Sequence, residues 1–241
     1  MSALRLPPSA FRSPPSTIHC LLLSLAVCGC APAEPELQEA SWSEQLARVR
    51  AGQSDRIELR EQVVADRHLA QLRPDDPLQA LDLDQAQVSD AGLEPLAAVT
   101  ALRRLTLREA TVGDEGAAVL ARADQLQTLN LPHARLGDAG LAQIAGLAQL
   151  EMLRLGSPNV TDAGLPALQQ LENLRFLHLI DVPITDAGLA EIAQLTQLES
   201  FYLDGSQVTD AGLRALLEAL PKLHFHRDQQ HLDSDPHRHP H

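Results

Sequence analysis

The chain has 241 residues, enough for one sizeable core, with ordinary charged and apolar fractions but only 2% aromatic residues. A formal charge of −13 argues against nucleic-acid binding, which needs a basic face. Cys20, Cys28 and Cys30 are the only cysteines, so the chain beyond residue 30 has neither a disulfide nor a thiol nucleophile.

Arg5 and Arg12, with no acid among them, precede Leu21-Leu22-Leu23-Ser24-Leu25-Ala26-Val27, an apolar run too brief to span a bilayer. Residues 1–29 therefore read as a secretory leader. Its end, Val27-Cys28-Gly29-Cys30, resembles a bacterial lipobox, in which a small residue precedes a Cys that becomes lipidated and N-terminal after cleavage. That resemblance implies a lipid on Cys30. With Ala31 rather than Asp behind it, it also implies sorting to an outer membrane, facing the periplasm. An ordinary secretory signal cut nearby is the alternative. Loss of residues 1–29 removes two Arg and no acid, so a lipid rather than the protein surface would hold the chain at anionic headgroups. Residues 30–40, rich in Pro and Glu, read as a tether.

The segment 41–53 is expected to form an N-terminal cap helix from about Ser43 to Arg50, with Ser43 as its cap and Gly52 as its stop. Trp42, the only Trp, is expected to seal the first unit of a repeat array.

The array is plain in the sequence. Val160-Thr161-Asp162-Ala163-Gly164-Leu165 recurs at Val88, Leu136, Ile184 and Val208, with a worn copy at Val112, in steps of 24 residues without insertion or deletion. Each copy reads as a helix start: Ser89, Thr161, Thr185 and Thr209 as N-caps, followed by an Asp at the positive end of the helix. A Gly fills the same slot in all six copies (Gly92, Gly116, Gly140, Gly164, Gly188, Gly212). Gly inside a helix costs about 1 kcal/mol against Ala, so such a row implies close packing where a Cβ will not fit. The Asp row could suggest a metal or phosphate ladder, but capping accounts for it without a ligand.

A disguised first unit begins near residue 54, with Ile57, Leu59, Val64, Asp66, Leu69 and Leu72 in frame and His68 in the Gly slot, as an end repeat allows. Full units begin at Leu78, Leu102, Leu126, Leu150, Leu174 and Leu198. Alternation such as Leu153-Arg154-Leu155 is strand-like, and Leu165, Leu168, Leu171 is helix-like. The second full unit is the weakest, with Ala117 and Ala123 for larger core residues and Gly113 for the cap.

The frame resembles leucine-rich repeat proteins over residues 54–226, and the V-T-D-A-G-L segment resembles their cysteine-containing subtype, familiar from eukaryotic F-box adaptors and bacterial envelope proteins. The implied fold class is α/β: a seven-unit solenoid, or horseshoe, with parallel strands on the concave face and short helices on the convex face. The slot usually held by Asn or Cys carries Ala86, Ala110, Ala134, Pro158, Val182 and Ser206, so no Asn ladder is expected. No F-box is present, and a bacterial leader argues against adaptor work.

The outward strand positions form two rows. One is assigned Arg56, Ala80, Arg104, Thr128, Met152, Phe176, Ser200 and Phe225, the next Glu58, Asp82, Thr106, Asn130, Arg154, His178 and Tyr202. Aromatic residues dominate interface hot spots, so Met152, Arg154, Phe176, His178, Tyr202 and Phe225 are the candidate site for a protein or peptide partner. Arg154, His178 and Tyr202, with Asp181 and Asp204 at the edge, superficially resemble an acid–base site. The row supplies no activated nucleophile, however, and the chain has no P-loop, G-x-S-x-G, H-E-x-x-H or G-x-G-x-x-G motif. A non-enzymatic module without a cofactor is the expectation. Six of the ten His lie at 224, 226, 231, 237, 239 and 241. Residues 227–241 read as a disordered tail in which His237, His239 and His241 would bind Zn²⁺, Ni²⁺ or Cu²⁺ weakly. Metal capture by the tail and a structural spacer are the rival functions.

Overall fold

A computed structural model describes residues 39–228 and the backbone of residues 230 and 231. The leader, Cys30, nearly all of the tether, and His237, His239 and His241 lie outside the described residues.

The first element among the described residues is helix α1 (Trp42–Arg50). Ser41, not Ser43, caps it: the Ser41 hydroxyl accepts from the Glu44 amide and the Glu44 carboxylate accepts from the Ser41 amide, a reciprocal capping box. Trp42 is buried against the first unit, its ring 5.9 Å from that of His68. His68 thus occupies the glycine slot because it faces the cap and not another repeat. Gln45 reaches the edge of strand β1 (Arg56–Leu59), accepting from the Glu58 amide at 2.9 Å and donating to its carbonyl at 2.7 Å. Glu39, within the segment read as tether, accepts from the Arg60 and Glu61 amides and so is tied to the first unit. A sheet edge left bare would invite pairing with another chain, and these side chains occupy its polar groups.

After β1 come β2 (Val64–Ala65), helix α2 (Asp66–Leu69), β3 (Ala80–Leu83), β4 (Ala86–Gln87) and α3 (Glu94–Ala98). They are followed by β5 (Arg104–Leu107), α4 (Asp114–Leu120), β6 (Thr128–Leu131) and α5 (Asp138–Ile144). The chain then runs through β7 (Met152–Gly156), β8 (Phe176–Ile180), α6 (Asp186–Ile192), β9 (Ser200–Asp204), α7 (Asp210–Ala219), β10 (His224–Arg227) and β11 (Gln230–His231). One sheet carries the order β1-β3-β5-β6-β7-β8-β9-β10-β11, parallel throughout except for the last pair, while β2 and β4 form a small second sheet. Consecutive strands pair residue i with residue i+24, for example Leu153 with Leu177 and Leu177 with Phe201. A helix or helical turn lies between successive strands of the main sheet from β1 to β10, and the leucines of both pack into one continuous core. This is an α/β leucine-rich repeat solenoid.

The Asp of the hexapeptide does more than meet a helix dipole. The Thr185 amide and hydroxyl both donate to Asp162 of the preceding unit, at 2.9 and 2.6 Å. Ser89 donates in the same way to Asp66, Thr161 to Asp138 and Thr209 to Asp186. The same Thr185 oxygen accepts from the Ala187 amide, so one hydroxyl caps its own helix and ties it to its neighbour. Where Gly113 and Gly137 replace the hydroxyl residue, only the backbone donates, to Asp90 and Asp114. This Asp ladder links the units in place of the missing Asn ladder.

It also explains the glycine row. A Cβ on Gly188 would lie 2.4 Å from Asp162 Oδ1, and one on Gly212 would lie 2.2 Å from Asp186 Oδ1. Pro166 shapes the most divergent convex segment: Asp162–Gln170 is 3₁₀ rather than α-helical, in keeping with a proline that removes a helix donor.

At the far end, β10 runs to Arg227 and β11 returns antiparallel to it, with His231 opposite His226. Regular structure therefore continues past residue 226, into the segment read as a disordered tail.

Candidate functional site on the strand face

The parallel register decides which side chains share a face. Leu153, Leu155, Leu177, Leu179, Phe201 and Leu203 turn into the core, and the residues between them face outward. Met152 pairs with Phe176, and Arg154 aligns with His178 and Tyr202. Five of the six expected site residues are thus brought together, and all five line one shallow depression of about 440 Å³.

Phe225 is the exception. It aligns with Phe201 and is fully buried, its ring 5.5 Å from that of Phe201. The 24-residue step sends the outward row from Ser200 to His224, one residue before Phe225, and the next row from Tyr202 to His226. The final strand keeps the frame of the others, so Phe225 is a core residue. The strict spacing already held this information. His224 and His226 are the outward residues that sequence reasoning missed.

Met152 and Phe176 are 40% and 38% exposed, and Val63 is the only other large apolar side chain exposed among the described residues. Two large apolar groups side by side in water are a cost without a benefit inside the fold. Beside them runs a polar line across four strands. Arg154 Nε donates to His178 Nδ1 at 3.2 Å, and Arg154 Nη1 reaches Asn130 Oδ1 at 3.5 Å. His178 Nε2 lies 2.9 Å from Asp204 Oδ2. Since Nδ1 accepts from arginine, the ring proton belongs on Nε2, where it is donated to Asp204. The Arg154 pKa is lowered, first by burial and then by the positive charge of Arg108, with Asp204 acting in the opposite direction.

Tyr202 stands between His178, at 5.5 Å between ring centroids, and His226, on which it stacks at 4.5 Å with planes 9° apart. His224 Nε2 and His226 Nε2 are 2.6 Å apart. No group of three or more His, Cys, Asp or Glu converges as a metal cage among the described residues. His133 accepts from the Glu109 amide at 3.1 Å, a strand-end tie. Asp181 sits under Gly205 at the rim, where a Gly205 Cβ would meet its Oδ1 at 2.2 Å.

The N-terminal half of the same face is different. Arg108 and Arg60 both bridge to Asp84, and Arg56 to Glu58. Asp82 Oδ1 is buried without a hydrogen-bond partner among the described residues, and burial is the main cause that raises its pKa.

A family model described as Leucine Rich repeat matches residues 77–97. No curated protein sequence matches the chain. Among solved structures, internalin C2 from Listeria monocytogenes is similar with a TM-score of 0.55 and 21% identity, over 75% of this chain and 80% of that one. An internalin F from the same organism is similar over 65% of this chain and 49% of its own, with 22% identity and a TM-score of 0.46. At such identity the likeness is one of fold.

Proposed function

We propose that this chain is a non-enzymatic recognition module that binds a protein or peptide on the C-terminal half of its strand face, held at a bacterial envelope by a lipid on Cys30. The exposed pair Met152–Phe176 carries the reading, because nothing within the fold is gained by leaving both in water. Interface centres combine such apolar anchors with aromatic and Arg side chains, and Tyr202 and Arg154 stand next to them. Among the described residues that line the depression there is no serine, cysteine or lysine, and Ser200, which pairs with Phe176 on the next strand, is buried. The anchor rests on the leader and lipobox-like sequence. Among the described residues no helix is long and apolar enough to cross a membrane.

The reading is tested by crosslinking in the native envelope, wild type against Phe176→Ser/Tyr202→Ala. A partner captured by the wild type and lost in the folded variant supports it; equal capture by both removes it. The anchor is tested separately by Cys30→Ser, which should release the chain from the membrane fraction. Metal capture by the His-rich tail, through His237, His239 and His241, is the second reading, and it rests on the sequence. Zn²⁺ titration of the chain with and without residues 227–241 decides whether the tail adds saturable binding.

A further inference from the structure

Among the described residues, the strand face holds one half-buried cation that no carboxylate neutralises directly. Arg56, Arg60, Arg108 and Arg227 each lie within 4.0 Å of an acid. Arg104 has no such partner but stands exposed in water. Arg154 is half-buried, and its hydrogen-bond partners among the described residues, Asn130 and His178, are both neutral acceptors. Asp204 lies beyond the imidazole and is occupied by it. A partly desolvated guanidinium with neutral partners gains most from a carboxylate, whose geometry its planar fork matches.

The surroundings say how that carboxylate would arrive. Met152 precedes Arg154 by two residues on β7, and Phe176 precedes His178 by two on β8. Two residues of strand span about 6.6 Å, and an extended peptide repeats its same-face side chains at the same interval. An apolar side chain resting on Met152 and Phe176 therefore puts the next same-face position of the ligand over Arg154. Asn130 and His178 hold the guanidinium from two sides, so its direction is set before a ligand arrives.

We propose that Arg154 is the specificity anchor of the site: it selects an extended partner segment carrying an apolar or aromatic residue and, two positions away, an Asp or Glu. The proposal rests on the strand face being the recognition surface, and the experiment separates the two. Random dodecapeptides displayed within a scaffold loop, and the same library displayed with free C-termini, are selected against the full chain, Arg154→Gln and Phe176→Ser/Tyr202→Ala. The wild type should enrich an apolar-x-acid pattern in the internal library. The best such peptide, synthesised with blocked ends, should bind Arg154→Gln ~10-fold more weakly or worse. Arg154→Glu should accept the peptide in which the acid is changed to Lys, a rescue that a merely structural arginine would not produce. Equal enrichment and affinity with Arg154→Gln overturns the anchor while leaving the surface reading intact. Enrichment confined to free C-termini overturns the side-chain source. If the wild type enriches nothing beyond the Phe176→Ser/Tyr202→Ala variant, both the surface and its anchor fail.

Discussion

The two halves of the strand face are built on one backbone and differ only in what projects from it. In the N-terminal half, most charges answer one another: Arg108 and Arg60 share Asp84, and Arg56 meets Glu58. Arg104 stands in water there, and the buried Asp82 Oδ1 lacks a partner among the described residues. In the C-terminal half, Met152 and Phe176 stand exposed, and the hydrogen-bond partners of Arg154 among the described residues are both neutral. Leucines and glycines repeat across both halves because the fold needs them at every step. The outward rows are free to vary, and function is written where the frame makes no demand. Charges that already answer one another have little to gain from a partner, whereas exposed apolar groups beside a guanidinium with neutral partners do.

The largest expected effect tests that asymmetry on binding. Phe176→Ser/Tyr202→Ala should weaken partner binding by about 2 kcal/mol or more, as loss of hot-spot residues does, with the melting temperature nearly unchanged. The mirror variant, Arg56→Ser/Glu58→Ser, should bind like the wild type; calorimetric titration of both would break the comparison if the second variant were the weaker.

Next in size is the convex Asp ladder, which both halves share. Gly188→Ala would press a methyl against Asp162 and Leu165, and overpacking of this kind costs about 1–3 kcal/mol. Chemical denaturation should show that loss, and an unchanged midpoint would mean that the ladder yields easily. Within the ladder, the unit around residues 112–124 has Ala117 and Ala123 in the core and only a backbone donor at Gly113. At ~0.8 kcal/mol per missing methylene, hydrogen exchange should be faster there than in the flanking units.

Acid separates two carboxylates of the N-terminal half. The Asp76 pKa is lowered from the ordinary 3.8, chiefly by its hydrogen bond with Arg50, which clamps α1 to the first unit. A lowered folded pKa contributes stability that is complete above the unfolded value and lost as pH falls through the folded one. Asp66 and Asp186, lowered first by the hydroxyls of Ser89 and Thr209, carry the same sign. Thermal melts should therefore fall steeply below about pH 4, less so in Asp76→Asn, which is already weakened at neutral pH. Asp82 has the opposite sign, its pKa raised by burial: its charge costs stability at neutral pH, and that cost fades as the group protonates. Asp82→Asn should raise the melting temperature slightly at pH 7 and leave it unchanged at low pH. This is the smallest of the expected effects.

Much of the fold was legible in the sequence because the repeat admits neither insertion nor deletion. Strand, helix start and core leucine recur at fixed offsets, so the face carrying Arg154, His178 and Tyr202 comes from counting. Phe225 shows where reasoning from residue type misleads: an aromatic at the array's end resembles a member of the patch, yet the spacing puts His224 there. The role of the Asp row was not legible in full. Capping explains an Asp after Thr within one helix, but its contact with Thr and Gly 23 to 26 residues onward exists only once the units stack. Nor could the sequence show that Asp84 satisfies Arg108 while Arg154 goes without, since side-chain directions decide both.

The most direct test of a recognition surface confined to the C-terminal half is a photocrosslinking scan of the strand face in the living envelope. A photoreactive residue would replace Thr106, Thr128, Met152 or Phe176 in turn. Adducts of a single partner from positions 152 and 176, with none from 106, are the predicted result. Adducts from 106 as strong as those from 152 and 176 would contradict it.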